Sequence, residues 1–150
     1  MSQYRERYHR DLSELKSLTK DLADQVGAAI EKSVIALTDA NVELAREVIK
    51  EDQDMDDLSL RIENLCMELL ALQQPMARDL RRIIGILKIG IDLERIGDLA
   101  VDVARVTAQS QNKIPITKLE YIPRMADICN KMLTESMEAL MNNEADMARQ

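Results

Sequence analysis

Two pairs of carboxylates in this 150-residue chain have the spacing of ligands on a helical metal site. Asp52 and Asp56 form one pair, Glu94 and Asp98 form the other, and the members of each pair are four residues apart. On a helix that spacing places both side chains on one face, one turn apart. Carboxylate oxygens are ligands that suit hard cations such as Mg²⁺, Mn²⁺, Ca²⁺ or ferric iron.

Pro75 lies midway between the two pairs. Asp52 and Asp98 are each 23 residues from it, and Asp56 and Glu94 are each 19 residues from it. Because proline cannot continue a helix, we expect the chain to fold back there as an antiparallel helical hairpin, with axes about 8–10 Å apart. Asp52 should then lie opposite Asp98, and Asp56 opposite Glu94. The symmetry predicts one shared metal site between the two helices.

Three further acids extend this group and are weaker candidate ligands: Asp102, Glu51 and Asp54. The alternative is a water-exposed acidic face whose charges are balanced by the nearby arginines Arg46, Arg61, Arg95 or Arg105. Spacing alone leaves both interpretations open, since like charges at this separation cost a helix only about 0.2–0.5 kcal/mol.

The composition and the apolar periodicity predict an all-α fold. Aliphatic residues dominate a hydrophobic fraction of 46%, and four glycines, three prolines and no Phe or Trp favour helices over sheet. Apolar residues recur at steps of three and four, which predicts helices at about 11–38, 41–72, 76–107 and from about 121 onward. Residues 1–10 are expected to be a partly ordered lead-in, and Asp39 or Asn41 to cap the second helix.

The third predicted helix carries two patterns that bear on the site. Its predicted apolar side holds Leu80, Ile83, Ile84, Leu87, Ile91 and Val101. The row at positions 80, 84, 87 and 91 continues into Glu94 and Asp98, which predicts that these carboxylates lean inward. A charge in such a place needs a counter-charge, and a bridging cation is one solution. Gly90, Gly97 and Ala104 recur every seven residues and predict a close approach between helices.

An internal repeat organises the chain. Residues 22–47 and 125–150 align without a gap at an offset of 103 and keep the same apolar phase. The repeat predicts a three-helix unit over 1–107, a linker over 108–118 and the start of a truncated second unit over 119–150. The predicted fold is therefore an antiparallel three-helix bundle followed by one helix of a second repeat, the N-terminal part of a longer protein.

Charge and residue usage argue against several classes of protein. A net charge of −7 disfavours nucleic-acid binding, and no apolar run reaches the roughly 18 residues of a membrane span. The N-terminus lacks the apolar stretch of a signal peptide, and Cys66 and Cys129 are expected to be buried, reduced thiols of a cytoplasmic protein. A ferritin-like di-iron enzyme needs Glu-x-x-His on two helices, and His9 is the only histidine. We therefore expect no catalytic residues.

From about residue 15 to 150 the chain resembles the PhoU family of phosphate-uptake regulators. The segments that carry the resemblance are Gln73-Gln74-Pro75, Asp79-Leu80-Arg81-Arg82, Asp92-Leu93-Glu94-Arg95-Ile96-Gly97-Asp98 and Asp52-x-x-x-Asp56. The resemblance implies two three-helix repeats and metal clusters, of iron or zinc, at the paired carboxylates. It also implies repression of the phosphate-starvation response together with a phosphate ABC transporter and a phosphate-sensing histidine kinase. Because the second repeat is cut short in these 150 residues, we expect the second metal site of the family to be missing from them.

Two surfaces are candidates for contact with other proteins. The fourth helix has an apolar face but lacks the two helices that would cover it in a complete repeat, which predicts a homodimer or larger species. Arg78, Arg81 and Arg82 form a small basic patch, either solvent-facing charge or a partner contact. The alternative function is a plain helical oligomerisation module with a solvated acidic face and no metal.

Overall fold

The computed structural model describes residues 2–73, 75–110 and 120–142. All regular secondary structure in these ranges is helical, with α1 at Ser2–Thr38, α2 at Val42–Gln73, α3 at Ala77–Gln109 and α4 at Ile122–Asn142. Helices α1, α2 and α3 pack on one another as a bundle, and α4 packs mainly against α1. The predicted all-α bundle with one additional helix is confirmed. None of these helices combines the length and the apolar character needed to cross a membrane.

The turn between α1 and α2 follows from two residues. Ala40 has a φ of 52°, the left-handed conformation that commonly ends a helix. The side-chain oxygen of Asn41 then accepts a hydrogen bond of 3.0 Å from the backbone N–H of Leu44. Asn41, rather than Asp39, is therefore the cap of α2.

The core lies between the three bundle helices. Its fully buried aliphatic side chains include Leu15, Leu22 and Val26 of α1, Val48, Ile62 and Leu69 of α2, and Ile83, Ile86 and Val101 of α3. The apolar stripes predicted for the first two helices supply most of this core. The burial of these side chains drives the helices together and so fixes which of their polar faces meet.

Several boundaries differ from those expected. Helix α1 begins at Ser2, so the expected lead-in is almost entirely helical, and Arg7 there contacts Glu68 of α2 at 3.1 Å. Helix α3 continues to Gln109, into the predicted linker, whose remainder from residue 111 lies outside the described residues. The positions 74 and 143–150 also lie outside them.

The two cysteines have different environments. Cys66 is buried, as expected, and burial raises the pKa of its thiol to about 11. Cys129 is exposed, so the expectation that both thiols are buried was wrong. The cause is its position on α4, where the apolar face is only partly covered.

The face of α3 that enters the core is only partly the one expected: Ile83 and Val101 are fully buried as predicted, but most of the other large residues of the predicted apolar side are not. The buried positions are Ile83, Ile86, Gly90, Leu93, Gly97, Ala100, Val101, Ala104 and Thr107. Leu80, Ile84 and Ile91 are 37%, 38% and 49% exposed, and the row that they begin runs along the edge of the helix. Glu94 is accordingly half-buried and Asp98 is exposed, rather than both pointing inward.

Small residues explain this choice of face, because they let α3 come close to its neighbours. A Cβ placed on Gly90 would lie 3.3 Å from Cγ2 of Ile62, and one on Gly97 would lie 3.2 Å from Sδ of Met55. Both contacts are across to α2. The close approach predicted from the glycine spacing is therefore confirmed.

Candidate metal centre

Three carboxylates from two helices meet at one point on the α2–α3 surface. Asp52 and Asp56 of α2 and Asp98 of α3 each offer an oxygen, and these atoms all lie within 4.8 Å of one another. Cation–oxygen bonds are about 2.0–2.6 Å long, so two oxygens on one cation are at most about twice that distance apart. The spacing of this acidic cluster therefore permits all three residues to bind a single ion.

Helix packing directly beneath the acidic cluster sets its geometry. Met55 and Gly97, the core neighbours of Asp56 and Asp98 in sequence, are in contact across α2 and α3. The close approach at this glycine carries the adjoining carboxylates to the same place. The hairpin about Pro75 was expected to bring Asp52 to Asp98, and their oxygens do lie within 4.8 Å, but Asp56 lies as close to both.

Glu94 stands beside the acidic cluster without joining it. Its pKa is raised by partial burial first, and next by the negative charges of Asp98 and Asp56. Its carboxylate is therefore close enough to feel both groups, although it is not among the three whose oxygens converge. Glu94, the predicted partner of Asp56, thus lies outside the group of three, whereas Asp98 lies inside it.

Asp52 is the most buried member of the cluster, with 24% of its side chain exposed. Its pKa is raised by burial first and then by the charge of Asp56, while the positive charge of Arg105 opposes the shift. The Nη2 atom of Arg105 donates to Oδ2 of Asp52 at 3.1 Å, and Nη1 donates to Oδ1 of Asp102 at 2.8 Å. One arginine thus joins the two helices at the edge of the site.

Of the four arginines that were expected to balance an exposed acidic face, one, Arg105, contacts the acidic cluster. The other three arginines pair elsewhere: Arg46 with Glu43 at 2.7 Å, Arg61 with Glu14 at 3.8 Å and Arg95 with Asp92 at 3.8 Å. In the described part of the chain, Asp56 and Asp98 form no ion pair. A single guanidinium therefore faces three converging carboxylates, with Glu94 and Asp102 nearby.

The weaker candidates lie outside the converging group. Asp102 is held by Arg105, and Glu51 faces α1, where Nζ of Lys32 contacts it at 2.7 Å. Lys32 also contacts Glu47 at 2.7 Å, and this contact is the main reason that the pKa of Lys32 is raised. Asp54 is exposed and lines a hollow on the same side as Lys32. The ion pairs of Lys32 with Glu47 and Glu51 were not predicted from the sequence, because they depend on the register between α1 and α2.

The ligand types narrow the choice of cation. No histidine or cysteine belongs to the group, which within the described residues is the one set of three or more such side chains close enough to hold an ion. Structural zinc sites favour thiolate and imidazole ligands, whereas an all-oxygen set suits Mg²⁺, Mn²⁺, Ca²⁺ or iron.

The basic patch lies near the start of α3, away from the acidic cluster in sequence. Arg78 and Arg81 are exposed, and Arg82 is half-buried with Asp79 at 3.8 Å. Nearby, burial first and Asp79 second raise the pKa of the Tyr8 hydroxyl to about 12. This end of the bundle therefore brings α1 and α3 together through mixed polar groups.

The sequence and the fold are similar to those of known proteins. A family model described as "PhoU domain" matches residues 19–107. The chain is 38% identical over 140 residues to the phosphate-specific transport system accessory protein PhoU homolog of Aquifex aeolicus, and 31% identical over 145 residues to homolog 2 of Mycobacterium tuberculosis. These alignments cover 93% and 95% of the chain, which spans 63% and 68% of the relatives' lengths. The crystal structure of PhoU from Pseudomonas aeruginosa superposes with a TM-score of 0.86 and 32% identity, over 95% of this chain and 68% of that one.

Proposed function

The chain belongs to the PhoU family, and on that basis we propose that it is a non-enzymatic accessory protein of a phosphate transport system. The observation that carries the proposal is the match of residues 19–107 to the PhoU domain. Relatives from Aquifex aeolicus and Mycobacterium tuberculosis are named accessory proteins of phosphate-specific transport. In this proposal the chain acts in the cytoplasm with a phosphate ABC transporter and a phosphate-sensing histidine kinase, and it holds the starvation response off when phosphate is plentiful.

A reporter strain tests this role. In a bacterial host deleted for its own PhoU protein, a phosphate-starvation reporter is expected to stay high in phosphate-rich medium. Expression of the chain should lower the reporter signal, and an empty vector is the control. A reporter that stays high, despite a normal cellular level of the folded chain, would contradict the regulatory role.

We further propose that the acidic cluster binds a hard cation. The support is the convergence of Asp52, Asp56 and Asp98 and the shortage of positive charge around them. Of the two metals implied by the family resemblance, iron fits the oxygen ligands better than zinc. Asp52 would supply the more buried ligand, and the other two carboxylates would close the site from the surface. The cation would neutralise the α2–α3 interface and so tie the two helices together.

Metal binding is tested by titration of the chelator-treated chain with Mn²⁺, Fe²⁺ and Zn²⁺ in a calorimeter. The double variant D56N/D98N keeps the size and polarity of the side chains but removes two charges, so binding should be lost. The matched control D54N/D57N removes two charges from α2 outside the acidic cluster and should bind normally. If the unmodified chain binds none of these cations, the alternative function stands, a helical oligomerisation module with a solvated acidic face.

We also propose that residues 1–107 form one complete repeat, that 108–118 link it to the next, and that 119–150 begin a second repeat. The offset of 103 makes Leu22, Val26 and Ala29 of α1 equivalent to Met125, Cys129 and Met132 of α4. The α1 residues are at most 2% exposed, whereas Met125 and Met132 are 61% and 62% exposed. Helix α4 thus presents a core face that α2 and α3 cover in the first repeat.

A homodimer would cover this face. Met125, Cys129 and Met132 line one side of a hollow of about 630 Å³, and apolar residues of α3 such as Leu99 line the other. Extended apolar surfaces of this kind are rare on monomers. Because each copy carries the same surface, two copies related by a two-fold axis could cover each other with identical contacts.

A further inference from the structure

Arg105 connects the acidic cluster to a fourth carboxylate outside it. Its two terminal nitrogens contact different helices: Nη2 lies 3.1 Å from Asp52 on α2, and Nη1 lies 2.8 Å from Asp102 on α3. Among the described residues, Arg105 forms the one ion pair that reaches the cluster. Two positive groups can therefore bind Asp52: the guanidinium of Arg105, and any cation that also binds Asp56 and Asp98.

We infer that Arg105 is an internal competitor of the cation and sets the affinity of the site, an inference that rests on the proposed metal binding. Without metal, the guanidinium supplies part of the positive charge that the carboxylates need. When a cation binds, Arg105 must either release Asp52 or remain beside a second positive charge. Both alternatives cost free energy, so the affinity for the cation is lower than the carboxylates alone would give.

Asp102 is an alternative ion-pair partner for Arg105 when a cation displaces the guanidinium from Asp52. It precedes Arg105 by three residues on the same helix, so their contact does not depend on the position of α2. With 47% of its side chain exposed, Arg105 is free to move away from Asp52 without disturbing the core. Asp102 is therefore assigned to hold the arginine rather than to bind the cation.

The direction of the effect separates competition from simple structural support. Arg105→Gln should tighten Mn²⁺ binding about threefold to tenfold at low salt, the scale of a unit charge acting on a divalent ion across a few ångströms of partly screened surface. Arg105→Lys keeps the charge and should bind Mn²⁺ much as the unmodified chain does. Arg46→Gln removes a surface arginine that pairs with Glu43, and it should leave the affinity unchanged.

A second readout uses the metal-free chain. Without the guanidinium the carboxylates lose their nearest counter-charge, so Arg105→Gln should melt at a lower temperature than the unmodified chain in dilute buffer. Because salt screens the repulsion, the deficit should shrink at 0.5 M NaCl. Added Mn²⁺ should raise the melting temperature more for Arg105→Gln than for the unmodified chain.

The experiment is calorimetric titration of the four chelator-treated chains with Mn²⁺, alongside their melting curves. Tighter binding by Arg105→Gln alone supports the competition, including the case in which only this variant binds. Equal or weaker binding by Arg105→Gln, with normal binding by the unmodified chain, overturns it while leaving the metal site in place. Absence of binding in every chain overturns both proposals.

Discussion

The side-chain amide of Asn130 donates a hydrogen bond of 3.2 Å to the backbone carbonyl of Gly27, and the two residues are 103 positions apart. That separation equals the offset of the internal repeat. In the repeat that we propose, Gly27 and Asn130 are equivalent positions, and they are in direct contact where α4 packs against α1. A Cβ on Gly27 would meet Oδ1 of Asn130 at 3.5 Å, an ordinary van der Waals distance, so the contact does not require glycine at this position.

We predict that Asn130→Ala loosens α4 from the bundle. The variant removes the amide that satisfies the Gly27 carbonyl, and a lost hydrogen bond of this kind costs about 1 kcal/mol. Hydrogen exchange of the α4 amides should therefore accelerate, while exchange in α2 and α3 should stay as it was. Lys131→Ala, an exposed neighbour on α4, is the control, and equal acceleration in both variants would argue against a specific role for the amide.

The bundle was predictable because the apolar residues that recur at steps of three and four in α1 and α2 are also the ones that form the core. The buried face of α3 was predictable only in part, because its large apolar residues include Leu80 and Ile84 at the edge as well as Ile83 and Val101 in the core, whereas small residues make the closest contacts. Gly90 and Gly97 indicated close approach without indicating which large residues flank them. Only the positions of Ile62 and Met55 on α2 decide that.

Two glycine-to-alanine variants on α3 should change the free energy of unfolding in opposite directions. Gly90→Ala places a methyl group 3.3 Å from Cγ2 of Ile62, a stiff and fully buried side chain, so overpacking of about 1–3 kcal/mol should outweigh the helix propensity gained. Gly85→Ala meets nothing within 4 Å and should stabilise the chain by up to about 1 kcal/mol. Urea unfolding of both variants measures the difference. Stabilisation by Gly90→Ala would show that α2 and α3 separate more easily than their packing indicates.

The raised pKa of Glu94 predicts a pH-dependent cost. Because the folded state holds this proton more tightly than the unfolded state, ionisation of Glu94 opposes folding. The cost appears as the pH rises from the usual glutamate value of about 4.3 through the raised pKa, and it persists above that pKa. In chelator and low salt, Glu94→Gln should therefore raise the melting temperature at pH 7 by about 1–3 °C.

The same variant should lose its advantage in acid. Below the usual pKa of a glutamate both chains carry a neutral group at position 94, so their melting temperatures should converge. Glu63→Gln, an exposed acid on α2, should show no such trend. A Glu94→Gln chain less stable than the unmodified one at pH 7 would mean that the carboxylate has a favourable partner.

The acidic cluster was only partly predictable. Equal distances from Pro75 predicted that Asp52 and Asp98 would lie close together, as their oxygens do, but they did not predict that Asp56 would also reach Asp98. The exclusion of Glu94 and the position of Arg105 depend on the rotation of α3 about its axis. That rotation is set by small core residues. If the buried face of α3 is predicted wrongly, the predicted positions of Glu94 and Arg105 are wrong as well.

The apolar face of α4 gives the last prediction. If copies of the chain cover each other there, light scattering on the purified chain should give the mass of a dimer. Met132→Glu introduces a charge at a position that is 62% exposed and lines the hollow, so it should not disturb the fold, but it should yield monomers. Met67→Glu makes the same change on α2, where Met67 is 56% exposed and outside the hollow.

Salt dependence and thiol labelling make this test more specific. Because every copy carries a net charge of −7, added salt should strengthen the association, as expected when apolar contacts hold like-charged chains together. Cys129 lines the same hollow and should react with a maleimide faster in dilute solution than in concentrated solution. Cys66 is buried in the bundle and should stay unreactive at both concentrations. A monomer at all concentrations, with Cys129 equally reactive throughout, would refute self-association through α4.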